Sequence, residues 1–199
     1  EDPRPSVLRA VVDTLRADHT SLLGYERETT PHLDAFAAGG VVFENARASS
    51  SWTLPSTASL LTGLSAPAHG VESSESRLPE GAETLGGILW REGYATALFS
   101  ANPYVSRYFG FGTGFGTVVD YANRERGTAD GDVAEMRAHG RDDWAFRPDA
   151  EELNAALFAW LDGVDAGAPN KPHVQYMEPH WPYAPPPPFD TRFGVTVQL

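Results

Sequence analysis

The sequence contains no cysteine, a single lysine and only two methionines among its 199 residues. Without cysteine, the chain has neither a disulfide framework nor a thiolate metal site, and it has no cysteine nucleophile. No apolar run approaches the roughly 20 residues that a membrane-spanning helix needs. No leader segment is visible after Glu1. These absences slightly favour a cytoplasmic location over a membrane-bound or secreted one.

Positive charge is also scarce: the sequence has 15 basic and 27 acidic residues, and its net charge is -12. Most of the surface would therefore repel a phosphate backbone, so we expect no nucleic-acid partner. Lys171 is the only lysine. An acidic, lysine-poor surface fits a high-salt cytoplasm, where screening is strong, and it equally fits GC-rich coding bias. Both interpretations stay open.

What the sequence does contain is a regular alternation of predicted strands and helices. Buried strands are predicted at residues 6–13, 41–43, 94–100 and 173–177, and helices begin at Pro31, Pro55, Glu83 and Pro148. This alternation predicts an α/β fold with a largely parallel sheet in one domain. We expect the strands at 6–13, 94–100 and 173–177 to lie side by side. In the helix at 83–92, Leu85, Ile88 and Leu89 are predicted to face inward.

Three other segments are predicted to be irregular. Residues 122–147 are charged and weakly periodic, which indicates a long loop or an insertion. The glycine-rich run at 110–116 fits no dinucleotide-binding pattern and has no P-loop lysine, so it indicates turns and close packing. The prolines at 185–188 indicate a stiff loop, because the run is too short for a polyproline ligand.

Two segments carry candidate catalytic chemistry near the start of the chain. Asp13 follows the first predicted strand, and ligands of open α/β sheets bind beyond the carboxyl ends of strands. Asp13 is therefore either a ligand of a hard cation or the cap of the following turn. A cluster of hydroxyl side chains precedes the helix at Pro55. Within it, Thr53 is either a nucleophile and metal ligand at a helix N-terminus or one member of a capping cluster.

A third candidate segment follows the last predicted strand. His180 lies between two prolines in residues 178–183. A histidine aimed in this way could neutralise an anionic substrate or protonate a leaving group. The alternative is a histidine that only packs within its loop.

Taken together, these segments resemble the sulfatase family of the alkaline phosphatase superfamily. The matching stretches occur in family order and span nearly the whole chain. They are 11–19 (VVDTLRADH), 24–25 (GY), 30–34 (TPHLD), 43–46 (FENA), 52–56 (WTLPS), 60–63 (LLTG), 69–70 (HG), 100–103 (SANP), 114–115 (GF) and 178–183 (EPHWPY).

The resemblance implies a three-layer α/β/α sandwich, of which residues 1–199 would form the N-terminal part of a single catalytic domain. It implies hydrolysis of sulfate or phosphate esters at a divalent metal, which could be Ca, Mg, Mn or Zn. The substrate would be a small-molecule, glycan or lipid ester. By resemblance, Asp13 and Thr14 are metal ligands and Thr53 is both nucleophile and metal ligand. Asn102 would bind the substrate anion, and His180 would act beside it in catalysis.

The chain departs from the family pattern at three points. Thr53 stands where the family has the Cys or Ser that becomes formylglycine, so we expect no formylglycine. Thr57 replaces the arginine four residues further on. The family's remaining metal ligands lie further along than Leu199, so we expect this chain alone to bind metal weakly and to be inactive.

These departures leave two alternatives open. One is a phosphodiesterase or phosphotransferase of the same superfamily, in which threonine nucleophiles occur. The other is a truncated or degenerate member that acts as a binding module without catalysis.

Overall fold

Four parallel strands form the sheet in a computed structural model that describes residues 4–120, 148–181, 183 and 185–193. The strands are β1 (Arg9–Val12), β2 (Ala95–Ser100), β3 (Thr117–Val119) and β4 (Asn170–Tyr176). Their order across the sheet is β1-β4-β2-β3, and every pairing is parallel. The prediction that the first, third and last predicted strands lie side by side is therefore confirmed. The short strand β3 was not predicted.

The predicted strand at 41–43 is wrong. This segment belongs to no strand, and Val41 and Phe43 are 80% and 76% exposed. A run of three apolar residues has strand propensity, but it becomes a strand only when a neighbouring strand bonds to its backbone. No described strand pairs with these residues.

Five helices accompany the sheet in the described part of the chain. They are α1 (Pro31–Ala37), α2 (Thr53–Thr62), α3 (Ala66–His69), α4 (Leu85–Arg91) and α5 (Ala150–Asp162). Helix α2 begins two residues before the predicted start, because proline is tolerated within the first turn. Helix α5 begins at a capping box. The Glu152 N–H donates to the Asp149 side chain at 2.8 Å, and the Asp149 N–H donates to the Glu152 carboxylate at 3.0 Å.

The chain separates into two compact units. The first, called the sheet unit, comprises Glu1–Val12 and Ser49–Met177. The second unit comprises Asp13–Ala48 and Glu178–Leu199. The single catalytic domain expected over residues 1–199 stays a prediction, and the loop or insertion predicted at 122–147 lies outside the described residues.

Within the sheet unit, side chains alternate between the two faces of β2. Leu98 packs in one cluster with Leu54 and Leu61 of α2. Its neighbour Phe99 packs in another cluster with Leu157 of α5. Because both faces are covered by helices, the sheet unit has the predicted α/β/α layering.

Helix α4 packs most closely through its glycines, while Leu85 and Leu89 of the predicted apolar stripe are half-buried. A Cβ on Gly86 would lie 2.9 Å from the Phe115 ring, and Gly86 and Gly87 are the buried residues of the helix. Because the backbone comes so close to the glycine-rich loop, Ile88 turns outward and is 39% exposed. The inward orientation predicted for Ile88 is therefore wrong, whereas the close-packing role predicted for the glycines at 110–116 is confirmed.

No helix in the described ranges has the length and apolar character needed to cross a bilayer.

Candidate active site

In the sheet unit, Thr53 is the first residue of α2 and is half-buried. Trp52 precedes the helix as its N-cap, and its side chain makes no capping hydrogen bond. The first N–H groups of a helix point outward from its N-terminus and carry partial positive charge. The Thr53 hydroxyl is therefore attached to a helix end that favours negative charge.

Thr57 lies one turn after Thr53, at the position of the family's arginine. It is buried among the core residues of α2. A small buried hydroxyl supplies no positive charge to a substrate, so α2 itself offers only its backbone N–H groups and its hydroxyls at this end.

Asn102 follows the carboxyl end of β2 and is buried. Its Oδ1 accepts a hydrogen bond from the Tyr104 N–H at 2.9 Å, and its Nδ2 lies 3.4 Å from the sulfur of Met177. The Tyr104 ring meets Trp52 edge-on, with 5.8 Å between centres. The loop after β2 and the start of α2 are therefore in contact, and the Asn102 amide helps to fix that loop.

In the second unit, Asp13 directly follows the last residue of β1 and its side chain is buried. Thr14 has a φ of 55°, in the left-handed region. A β-branched residue rarely adopts this conformation, which costs on the order of 1–3 kcal/mol. This strain immediately follows the candidate metal ligand, and no feature of the sequence predicted it.

The neighbouring carboxylate, Asp18, has partners of its own. Arg16 holds it through two hydrogen bonds of 2.7 and 3.0 Å, and Nδ1 of His19 lies 3.1 Å from it. The hydrogen bonds from the Arg16 guanidinium hold the pKa of the Asp18 carboxyl well below its usual range, and the contact with His19 makes a smaller contribution in the same direction. Asp18 is therefore occupied by an exposed ion pair and is a poor candidate for an additional metal ligand.

His180, also in the second unit, is half-buried. Its Nδ1 lies 2.6 Å from the backbone carbonyl oxygen of Trp181. Because a carbonyl only accepts hydrogen bonds, Nδ1 carries the proton and the neutral ring has its lone pair on Nε2. The flanking backbone thus selects one tautomer of the ring.

A partly buried Ser–His contact in the sheet unit was not predicted. Nδ1 of His69 accepts from the Val71 N–H at 3.1 Å, and Nε2 lies 3.0 Å from the Ser59 hydroxyl. A neutral ring that accepts at Nδ1 has its proton on Nε2 and donates it to Ser59. His69 is therefore no base for Ser59; it joins the middle of α2 to the end of α3.

The described residues contain no group of three or more His, Cys, Asp or Glu side chains arranged to hold a metal ion. The candidate donors, the Asp13 carboxylate and the hydroxyls of Thr14 and Thr53, are oxygen atoms of the kind that hard cations prefer. They fit a divalent cation in kind, although Ca²⁺ takes about six or more such ligands.

The structure thus places the predicted site residues in two groups. The sheet unit holds Thr53 and Asn102, linked through the Trp52–Tyr104 contact. The second unit holds Asp13, Thr14 and His180. Each predicted residue except Thr53 comes soon after the carboxyl end of a parallel strand, where the ligands of open α/β sheets bind.

The parallel sheet with helices on both faces places this protein in the α/β class. In open sheets of this class, ligands bind beyond the carboxyl ends of the strands. The sequence profile of the family described as Sulfatase matches residues 5–198, and the chain belongs to that family.

Three known proteins illustrate the relationship. An arylsulfatase of Clostridium perfringens (strain 13 / Type A) is 26% identical over 92% of this chain and 45% of its own length. The phosphonate monoester hydrolase of Agrobacterium radiobacter has a similar structure, with a TM-score of 0.70 and 25% identity. That match covers 94% of this chain and 43% of the hydrolase. A protein of the alkaline phosphatase superfamily from Vibrio parahaemolyticus has the same fold, with a TM-score of 0.65 and 22% identity over 97% of this chain and 46% of its own. The chain spans less than half the length of each.

Proposed function

We propose that this protein contributes the nucleophile-bearing part of a metal-dependent hydrolase of sulfate, phosphate or phosphonate esters. The observation that carries the proposal is the position of Thr53, whose hydroxyl stands at the N-terminus of α2. Membership of the Sulfatase family supports the reaction class. The buried Asp13, directly after β1, supports the participation of a cation, since a carboxylate is a natural ligand of a hard cation.

The metal would be held by Asp13, Thr14 and Thr53, and its charge would favour loss of the Thr53 hydroxyl proton to solvent water. The Thr53 oxygen then attacks phosphorus or sulfur, and the bond to the ester oxygen breaks on the opposite side. N–H groups in the first turn of α2 stabilise the negative charge that develops on the non-bridging oxygens.

Asn102 and His180 complete the proposed assignment. Asn102 donates from its amide to one substrate oxygen, and its Tyr104 contact orients that amide. His180, in its protonated form, donates a proton to the departing ester oxygen. Water then hydrolyses the ester formed on Thr53, releases sulfate, phosphate or the phosphonate, and restores the hydroxyl.

We further propose that phosphate or phosphonate esters are preferred over sulfate esters. Threonine is a secondary alcohol, so its oxidation cannot yield the formylglycine aldehyde. The similarity to a phosphonate monoester hydrolase supports this preference. The physiological substrate would be a small-molecule, glycan or lipid ester, because the net charge of -12 disfavours polyanions.

The test uses the intact full-length enzyme and compares an aryl phosphate, an aryl phosphonate and the matching aryl sulfate, each with Ca²⁺, Mg²⁺, Mn²⁺ or Zn²⁺. Thr53→Ala should reduce turnover on the order of 10³-fold or more, while Thr53→Ser, which keeps a hydroxyl, should retain part of it. Thr62→Ala, at the opposite end of α2, is the matched control and should leave turnover unchanged. Faster cleavage of the sulfate than of the phosphate, or an active Thr53→Ala variant, would contradict the proposal.

The second candidate function is that of a non-catalytic binding module. It would use the N-terminus of α2 and the buried Asn102 amide to bind an ester or its anion without cleaving it. Calorimetry separates the two functions. Divalent-metal binding that Asp13→Asn abolishes supports the hydrolase, whereas binding of an ester or its anion without metal and without turnover supports the module.

A further inference from the structure

The amino-terminal edge of the sheet carries a cleft that the proposed hydrolase does not use. It has a volume of about 470 Å³ and is lined by Trp90, Tyr94, Trp160 and Asp165, among others. Residues 93–95, where β2 begins, also line it. Since β2 runs six residues from here to Ser100, the cleft lies roughly 17–20 Å from the carboxyl ends of the strands.

The two tryptophans reach this cleft from opposite faces of the sheet. Trp90 belongs to α4, which packs beside Phe115 in the cluster of Leu98. Trp160 belongs to α5, which covers the face of Phe99. Each helix leads into a strand that starts at this edge, so both helices end beside the cleft and each presents an indole to it.

The two tryptophan side chains differ in how far they are buried. Trp160 is half-buried and packs edge-on against Phe99, with 6.0 Å between ring centres. Trp90, in contrast, is 59% exposed. Indole has a large apolar area and an electron-rich face, so an exposed tryptophan within a concavity favours a ligand that covers that face.

The charges around the cleft favour a cation. The carboxyl end of a helix carries partial negative charge, which basic residues normally offset. Helix α5 has no basic residue in its last turn; it ends at Asp162, and Asp165 follows. Of these two acids, Asp165 lines the cleft together with Trp160, so its carboxylate adds to the negative charge of the helix end.

The chain itself already places a cation on an aromatic ring at this edge. The Arg4 guanidinium lies over the Tyr94 ring, 5.2 Å from its centre, and Nη1 donates to the backbone carbonyl of Glu92 at the end of α4. Ring face and helix-end carbonyl thus act together on one positive group. Trp160, near the carboxyl end of α5, would offer a similar combination to a ligand.

We propose that this cleft binds an organic ammonium group, either a quaternary ammonium or the protonated amine of an amino sugar. The faces of Trp90 and Trp160 would contact the cation, and Asp165 with the end of α5 would balance its charge. The volume suits a single choline or monosaccharide unit. The proposal rests on the sheet unit alone and is independent of the proposed ester hydrolysis.

The test measures binding of choline to the purified protein by calorimetry and by tryptophan fluorescence. Its uncharged carbon isostere, dimethylbutanol, is the matched ligand control. Choline should bind, and the isostere should bind several-fold more weakly. Glucosamine is measured in the same way, with glucose as its uncharged control. Comparing the affinities of glucosamine and choline then tells whether the cleft prefers an amino sugar or a quaternary ammonium.

Variants locate the site. Trp90→Leu and Asp165→Asn should each weaken choline binding about 2- to 5-fold, since an exposed cation–π contact or charge pair contributes about 0.5–1 kcal/mol. Phe158→Leu, on the exposed side of α5, and Trp181→Leu, in the second unit, should leave binding unchanged. Equal binding of choline and its isostere would overturn the proposal, because it would show an apolar cleft without cation selectivity. Choline binding that neither Trp90→Leu nor Asp165→Asn alters would overturn it too.

Discussion

The ammonium group of Lys171 lies over the ring of Phe115, with 4.8 Å between Nζ and the ring centre. Lys171 is fully buried, and its Nζ has no hydrogen-bond partner among the described residues. Burial, with a smaller contribution from the Arg9 guanidinium, lowers the pKa of Lys171 to about 7. His173, its neighbour on the same face of β4, is equally buried. Its pKa is lowered to about 3, mainly by burial and to a smaller extent by the charges of Lys171 and Arg9. The only lysine of an acidic protein thus lies in the core.

The Lys171 environment predicts a rise of stability with pH. An unfolded lysine titrates near 10.5 and this folded one near 7, so between these values the unfolded state binds a proton that the folded state does not. The free energy of unfolding should therefore rise with pH across this window, at no more than about 1.4 kcal/mol per pH unit. In Lys171→Met this rise should disappear, and the variant should be more stable than the wild type near pH 7. Urea unfolding at several pH values measures both.

Arg91→Met, which removes an exposed cation paired with Glu83, is the matched control and should keep the wild-type pH dependence. Because Lys171 is the only lysine, a protein labelled with ¹⁵N-lysine gives one side-chain resonance whose titration can be followed directly. Titration of that resonance near the ordinary lysine pKa would contradict the prediction.

The glycine loop predicts a sharp difference between two neighbouring substitutions. Gly114 has a φ of 83°, and a Cβ there would lie 2.3 Å from the backbone N of Gly87. Backbone cannot move aside as a flexible side chain can, so Gly114→Ala should destabilise the protein by about 3 kcal/mol or more. In Gly116→Ala the new Cβ would meet its nearest atom, the Thr96 carbonyl oxygen, at 3.6 Å, and stability should change by less than about 1 kcal/mol. Thermal unfolding of the two variants provides the comparison, and equal losses would show that the loop does not pack against α4 in this way.

The Ser59–His69 hydrogen bond should contribute to stability and not to chemistry. Ser59→Ala leaves the buried Nε2–H of His69 without its acceptor, which should cost about 1–3 kcal/mol of unfolding free energy. His69→Gln should cost a similar amount, and the double variant should lose less than the sum because the two residues form one contact. A double-mutant cycle by urea unfolding measures that coupling, with Ser56→Ala on the same helix as control. Additive losses would mean that the two side chains do not interact.

The chemistry at Thr53 predicts an unmodified residue. Mass spectrometry of the peptide between Arg47 and Arg77 should give the mass of the genetically encoded sequence, because threonine is no substrate for conversion to formylglycine. Thr53→Cys combined with Thr57→Arg restores the residue types of the family signature. In a host that makes formylglycine, this double variant should carry the aldehyde and gain sulfatase activity relative to phosphatase activity. A modified Thr53 in the wild type would refute the assignment.

Much of the α/β layering was predictable because its signals are local. Continuous β-branched and apolar runs indicated three of the four strands, and proline, glycine and capping residues indicated where helices begin and end. The Asp149–Glu152 capping box is a local signal too, since both partners lie within one turn, but the prediction did not use it and placed the start of that helix at Pro148. The strand predicted at 41–43 failed, because strand formation also requires a partner that the local sequence does not show.

The candidate site residues were found from motif order and resemblance, and their surroundings were not predictable. Nothing near Asn102 in the sequence indicates that its amide contacts Met177, 75 positions away. The left-handed conformation of Thr14 was equally invisible, since it depends on how the surrounding chain constrains a residue that would avoid it in isolation.

The sequence by itself determined the parallel α/β class and family membership, because hydrophobic periodicity and motif order can be read along the chain. Only the tertiary structure decided that Lys171 lies beneath Phe115, that α4 packs through Gly86 and that two tryptophans from opposite helical layers share one cleft. Each of these depends on a close contact between segments distant in sequence. Burial, pKa and surface recognition follow from such contacts, because the dielectric environment and the neighbouring charges of a side chain are set by what packs around it.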